Sequence, residues 1–202
     1  MLTKPREVIL ASGSAGRRML LENAGVPFRV ELPDVDERAV EAAIGDSGTT
    51  AAELALILAE AKAIEVSLRF PEAIVIAADQ TMNLGDRLFH KPVDMEEARR
   101  NLIELSGRTH ELNSAVVIAE AGTAPWNCVD TAYMTMREFG PDYVGRYLSA
   151  VGDAALKSVG SYQIEGLGAQ LFDTAEGSFF TIVGLPLLPL LRVLREYGAI
   201  DG

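Results

Sequence analysis

A chain of 202 residues with 49% hydrophobic and 23% charged content suits one domain or two modest lobes, with ample material for a core. Its net charge of −11, from 18 Lys plus Arg against 29 Asp plus Glu, argues against sequence-independent nucleic-acid binding, which needs a basic footprint. The single cysteine, Cys128, excludes an internal disulfide framework and any multi-cysteine zinc site. A small polyanionic ligand remains compatible with this charge. Salt screens over about 8 Å, so a local cationic cluster or a bound divalent ion decides such a site.

Residues 1–7 are charged with no long apolar run behind them, and no apolar run reaches the length of a membrane span. A cytoplasmic protein with no leader and no membrane partner is expected.

In chain order, residues 7–11 read as a strand and Ser12-Gly13-Ser14-Ala15-Gly16 as a small-residue turn. Residues 17–24 then continue as a helix stopped by Gly25. Strand, small loop and helix together aim backbone N–H groups at an anion. Arg17 and Arg18 at the helix start oppose its dipole unless an anion is bound. An ordinary turn with Ser12 or Ser14 as N-cap is the alternative. Neither a Walker loop nor G-x-G-x-x-G is present. Residues 28–32 read as a second strand. In the loop Pro33-Asp34-Val35-Asp36-Glu37, three carboxylates could hold a divalent cation or be solvated. Residues 53–68 form a helix with Leu54, Ala55, Leu58, Ala61 and Ala63 inward, and a solvated Lys62 is the default.

Residues 73–78 are continuously apolar with a β-branched centre, the signature of a short buried strand. Asp79 is expected at its carboxyl end, where α/β sheets open their ligand crevices. A turn at Gly85-Asp86 is expected to bring Lys91 back toward Asp79. Carboxylate and ammonium at one strand end suit proton abstraction beside an anion, which makes Asp79 the lead catalytic candidate. Capping a turn or pairing with a lysine is the structural alternative for Asp79.

Residues 95–105 are helical. Residues 109–120 and 127–137 read as long antiparallel strands joined at 122–125, and residues 141–148 as a helix with proline in its first turn. The stretch 160–172 is irregular, with Gly160, Gly166 and Gly168 marking a ligand approach or a tight bend. Residues 187–197 close the chain as an amphipathic helix. Strands and helices alternate, and the long central pair implies a mixed sheet. His110-Glu111 begins like H-E-x-x-H, but position 114 is Ser, and no G-x-S-x-G elbow occurs.

Several of these stretches, taken in order, resemble the Maf proteins. Leu10-Ala11-Ser12-Gly13-Ser14-Ala15-Gly16-Arg17 resembles their L-A-S-x-S-P-R-R signature. So do Ala77-Ala78-Asp79 with Lys91-Pro92, Ser106-Gly107-Arg108-Thr109-His110, and Val183-Gly184-Leu185-Pro186. The resemblance runs from about Val8 to about Leu194 and implies a single Maf-type domain over residues 1–202. The fold it implies is α/β, with an elongated mixed twisted sheet flanked by helices and two lobes with a central cleft, similar to inosine triphosphatases.

The activity implied is that of a nucleoside triphosphate pyrophosphatase using a divalent cation (Mg, Mn or Co), usually as a homodimer. By motif position, Asp79 matches the general base, and Ser12, Arg17, Glu37, Lys62 and Lys91 match phosphate- and metal-site residues. Glu37 and Asp79 are the expected metal ligands. Ala15-Gly16 replaces the family's Pro-Arg, Gln80 replaces a common Thr, and Tyr162-Gln163-Ile164-Glu165-Gly166 replaces Tyr-Gly-Ile-Gln-Gly. The last two resemble the branch that prefers 7-methyl-GTP over dTTP and UTP. Chemistry agrees at Glu165, since a carboxylate can accept from both adjacent donors of guanine, whereas a Gln amide suits the alternating pattern of a pyrimidine. A dTTP or UTP pyrophosphatase, or a non-catalytic nucleotide-binding regulator of septum formation, stands as the alternative.

Overall fold

Strands buried on both faces read as continuous apolar runs, and the first strands of this chain are of that kind. The structure is a computed structural model describing residues 6–45 and 48–201, so the expectation about residues 1–7 falls largely outside the described residues. The chain divides into two compact units. The first holds the residues up to Gln80, Ser114–Asp130 and those from Gly184 onward; the second holds Thr81–Asn113 and Thr131–Val183.

In the first unit β1 (Val8–Leu10) pairs in parallel with β2 (Arg29–Val30) and with β3 (Ile74–Leu84). Ile9, Ala11, Val75, Ala77, Ala115, Val117 and Ala119 pack with Ala55, Ala59, Ala63 and Val66 of helix α3 (Ala51–Arg69). Alanines spaced four apart form one narrow stripe along the helix, which lets it lie close on the sheet. The intervening Leu10, Ile74, Ile76, Val116 and Ile118 are buried as well, so both faces are covered. Thr50 and Glu53 close a reciprocal capping box at the start of α3. Helix α1 (Ala15–Asn23) is N-capped by Ser14, and helix α2 (Glu37–Ile44) by Asp36.

In the second unit β3 turns at Gly85-Asp86 into β4 (Arg87–Phe89), with Leu84 opposite Arg87. Gly85 supplies the positive φ that this tight turn needs. Helices α4 (Met95–Leu105) and α5 (Pro141–Val151) pack with parts of β5 (Thr109–Glu120) and β6 (Thr123–Met136) around Met82, Leu102, Met134 and Leu148. Strand β7 (Phe172–Glu176) runs antiparallel to β6. Two 3₁₀ turns, Gly152–Lys157 and Leu167–Leu171, flank the irregular stretch. Helices α6 (Phe179–Val183) and α7 (Leu187–Glu196) follow. Among the described residues the strand order is β2-β1-β3-β5-β6-β7 with β4 beside β3, a mixed sheet as expected. No helix of the described residues is long and apolar enough to cross a membrane.

Five expectations need correction. Asp79 lies in the middle of an 11-residue strand rather than at a strand end. Its carboxylate and the neighbouring Gln80 side chain are both hydrogen-bonded, so polar residues do not break the strand there. The second strand shrinks to Arg29–Val30, and β6 starts at Thr123, so the turn before it is only Ala121-Gly122. The acidic loop is partly helical, with Asp36 spent as the N-cap of α2. Lys62 is buried, at 7% exposure, and not solvated.

His110 of β5 is fully buried, and its Nε2 lies 2.8 Å from the Tyr162 hydroxyl. Burial lowers its pKa from 6.5 to about 4. Between those two values the unfolded chain binds the proton more readily than the folded chain. The stability linked to neutral His110 is therefore complete above pH 6.5 and is lost as the pH falls toward 4. That loss amounts to up to about 3 kcal/mol. Urea unfolding of the wild type should show declining stability across this window, with a shallower decline in His110→Phe. Equal slopes in the two proteins would assign the acid sensitivity to other groups.

Candidate active site

A charged side chain is almost never buried unless it is paired, and the first unit buries three around one point. Asp79, Arg17 and Lys62 are 9%, 9% and 7% exposed. Lys62 reaches from α3 along its aliphatic stem, and its Nζ lies 3.1 Å from Asp79 Oδ2. The same ammonium meets Glu37 Oε1 at 2.6 Å. Asp79 Oδ1 accepts from the Gln80 backbone N–H at 2.8 Å and lies 3.9 Å from Arg17 Nη2.

Arg17 sits in the first turn of α1, where its charge opposes the helix dipole. The guanidinium is directed elsewhere by specific acceptors. Its Nε donates to the Gly184 carbonyl at 2.8 Å, and its Nη1 to Ser12 Oγ at 3.1 Å. Burial pulls its pKa below the usual value, while Asp79 and then Glu37 push it back up. Ser12 Oγ also accepts from the Ser14 backbone N–H at 3.3 Å, which folds the small-residue turn around the arginine. Gln80 Nε2 donates to Ser114 Oγ at 3.0 Å.

Ser12, Arg17, Glu37, Lys62, Asp79 and Gln80, singled out in the sequence, are thus brought together in one unit. Within the first unit, Asp79's ion-pair partners are Lys62 and Arg17. Lys91 and Glu165 are exposed residues of the second unit. Glu165 lies in a turn closed by Gly166 N–H donating to the Gln163 carbonyl at 3.1 Å.

Two contributors carry no individual signal in the sequence, Ser114 and the Gly184 carbonyl. The second was traceable only as the glycine of Val183-Gly184-Leu185-Pro186. Gly184 has φ +108, and a Cβ there would stand 3.6 Å from Arg17 Nε. A glycine thus lets the backbone turn its carbonyl onto the guanidinium.

Two carboxylates from different elements converge on one ammonium. That donor set fits a hard divalent cation, which takes one or two carboxylates and completes its shell with phosphate oxygens and water. Among the described residues no group of three or more His, Cys, Asp or Glu could hold a metal alone, so substrate oxygens would have to share in the binding.

Comparison with known proteins bears on what this cluster serves. The family described as Maf, Maf-like protein, matches residues 7–197. The chain belongs to the Maf family. Within it, a protein of Mesorhizobium japonicum named 7-methyl-GTP pyrophosphatase is 58% identical over 196 residues, covering 97% of this chain and 98% of that protein. A protein of Rhodopseudomonas palustris named nucleoside triphosphate pyrophosphatase is 49% identical over 189 residues, covering 94% and 93%. A solved structure of a HAM1 protein from Coxiella burnetii is similar at TM-score 0.41 and 18% identity, covering 65% of this chain and 73% of that one.

Removing one partner of a buried ion pair leaves the other uncompensated. In this Maf-family chain Lys62→Met should lower the unfolding free energy by about 3 kcal/mol, read by urea denaturation at neutral pH. A change under about 0.5 kcal/mol, the size typical of exposed sites, would show that the pair is not held in the buried geometry.

Proposed function

We propose that this chain is a divalent-metal-dependent nucleoside triphosphate pyrophosphatase. It would cut between the α and β phosphates of 7-methyl-GTP or a related modified nucleotide. The observation that carries this is the buried Arg17–Asp79–Lys62 cluster with the exposed Glu37 paired to Lys62, set in a chain 58% identical to a protein named for that activity. Hydrolysis of a polyanion needs a base, neutralising charge and positioning more than it needs a covalent nucleophile.

Each group has a matching task. Asp79 is the group that takes the proton of the attacking water at a carboxylate oxygen. Lys62 and Arg17 offset phosphate charge, and Ser12, which already accepts from Arg17, orients its guanidinium. Glu37 and Asp79 are the residues that would hold the cation. When bound, a divalent ion neutralises phosphate charge and polarises the phosphorus–oxygen bonds. Lys91 is assigned to phosphate binding on its motif position. Glu165 is assigned to the base, because a carboxylate accepts from two adjacent guanine donors and gains from the positive charge that N7 methylation adds.

Asp79→Asn preserves shape and removes the basic oxygen. Its turnover of 7-methyl-GTP should fall by about 10²–10⁴. Pyrophosphate release measured with excess Mg²⁺ or Mn²⁺ decides this, and a variant within a few-fold of the wild type would remove Asp79 from the role. The wild type stripped with chelator should bind the triphosphate more weakly and recover on adding metal. Full turnover in chelator would contradict the assignment of Glu37 and Asp79.

A further inference from the structure

The proposed function leaves one matched motif without a task, the one ending in His110. We propose that the His110–Tyr162 hydrogen bond is a positioning device that sets the turn bearing Gln163 and Glu165, so that base preference is governed from inside the second unit's core. The proposal rests on the reading of Glu165 as the group that meets the base.

Tyr162 directly precedes that turn and is held at both ends. Its hydroxyl meets His110 Nε2 at 2.8 Å, and its carbonyl accepts from Ser158 Oγ at 2.7 Å. Its ring stacks edge-on against Phe172, with centroids 4.7 Å apart. The preceding carbonyl, of Ser161, accepts from the Tyr147 hydroxyl at 3.1 Å. Ser161 itself is buried with φ +59, a conformation that persists in a non-glycine residue only where the surroundings over-determine it. The backbone of Gly168 also lies close against this turn. A Cβ on Gly168 would lie 2.5 Å from the Gln163 carbonyl oxygen.

Packing alone does not account for this arrangement. Among the described residues, His110 Nδ1 and Ser161 Oγ are buried and have no hydrogen-bond partner. Replacing such pairs by apolar groups of the same shape is often neutral or stabilising, so a core built only for stability has no call for them. What the arrangement does achieve is a turn whose backbone is fixed, with Ile164 packed on the core and Gln163 and Glu165 exposed. Burial also keeps the imidazole neutral at ordinary pH, so the hydrogen bond does not switch within the working range. A carboxylate that reads two donors at once needs that fixity, since small misplacement removes bidentate recognition.

The test compares kcat/KM for 7-methyl-GTP with that for UTP in the wild type, Tyr162→Phe, Glu165→Gln, the double variant, and Leu102→Val on α4 as a core control. Tyr162→Phe keeps the ring and loses only the hydroxyl. It should lower the 7-methyl-GTP preference about tenfold, mainly through a raised KM for 7-methyl-GTP. Glu165→Gln should then add less in the Tyr162→Phe background than in the wild type. Leu102→Val should lower Tm and leave the ratio unchanged.

If Tyr162→Phe lowers Tm as Leu102→Val does, yet leaves a ratio that Glu165→Gln moves, the pair is ordinary core and the proposal falls. If Glu165→Gln leaves the ratio unmoved, the reading of Glu165 is what fails. Tyr162→Phe alone then decides: a moved ratio keeps the positioning role, and an unmoved one removes it. Should Tyr162→Phe not fold, His110→Phe cuts the same bond from the other side and must move the ratio in the same direction.

Discussion

Taking the Asp79 carboxylate out of water costs several kcal/mol unless cations and donors replace its hydration, and the first unit is arranged to meet that demand. Helix α3 delivers Lys62, the first turn of α1 delivers Arg17, the loop before it delivers Ser12, and the strand itself delivers the Gln80 N–H. Alanines at 55, 59 and 63 keep α3 close enough to the sheet for a lysine stem to reach the carboxylate. Gly184 bends its backbone so that a carbonyl takes the arginine's remaining Nε proton. Each of these features is explained by the charge they surround. None is needed by an apolar sheet.

A cluster balanced in this way is poorly chosen for stability alone, because well-packed apolar residues often do as well. It is well chosen for a polyanion. Cations already desolvated and oriented require little reorganisation when phosphate charge arrives, and a carboxylate beside them can take a proton where charge develops. The second unit applies the same logic without charge. There a neutral histidine–tyrosine pair and a left-handed serine fix a backbone turn.

Much of this was legible in the sequence because its signals are local. Periodicity and breakers locate α3, α4, β5 and α5, and Gly85-Asp86 marks its hairpin. Ser12, Arg17 and Asp79 announce themselves as polar residues beside buried runs. What was not legible depends on partners distant in the chain. A carboxylate normally stops a buried strand, which is why the sequence puts Asp79 at a strand end; Lys62 and Arg17, 17 and 62 residues away, pair with it and let β3 continue. Lys62 was expected in solvent for the same reason, since no local pattern shows that two carboxylates await it. Gly184, 167 residues from Arg17, is invisible as a ligand because a backbone carbonyl has no sequence signature.

The reaction proposed for this charged cluster is hydrolysis at the α–β bond of a nucleoside triphosphate. Phosphorus NMR of the full chain incubated with 7-methyl-GTP and Mg²⁺ tests it most directly, because the products report which bond breaks. Nucleoside monophosphate and pyrophosphate should appear in equal amounts from the first time point, with no diphosphate intermediate. Nucleoside diphosphate with orthophosphate, or an unchanged triphosphate spectrum, would contradict it.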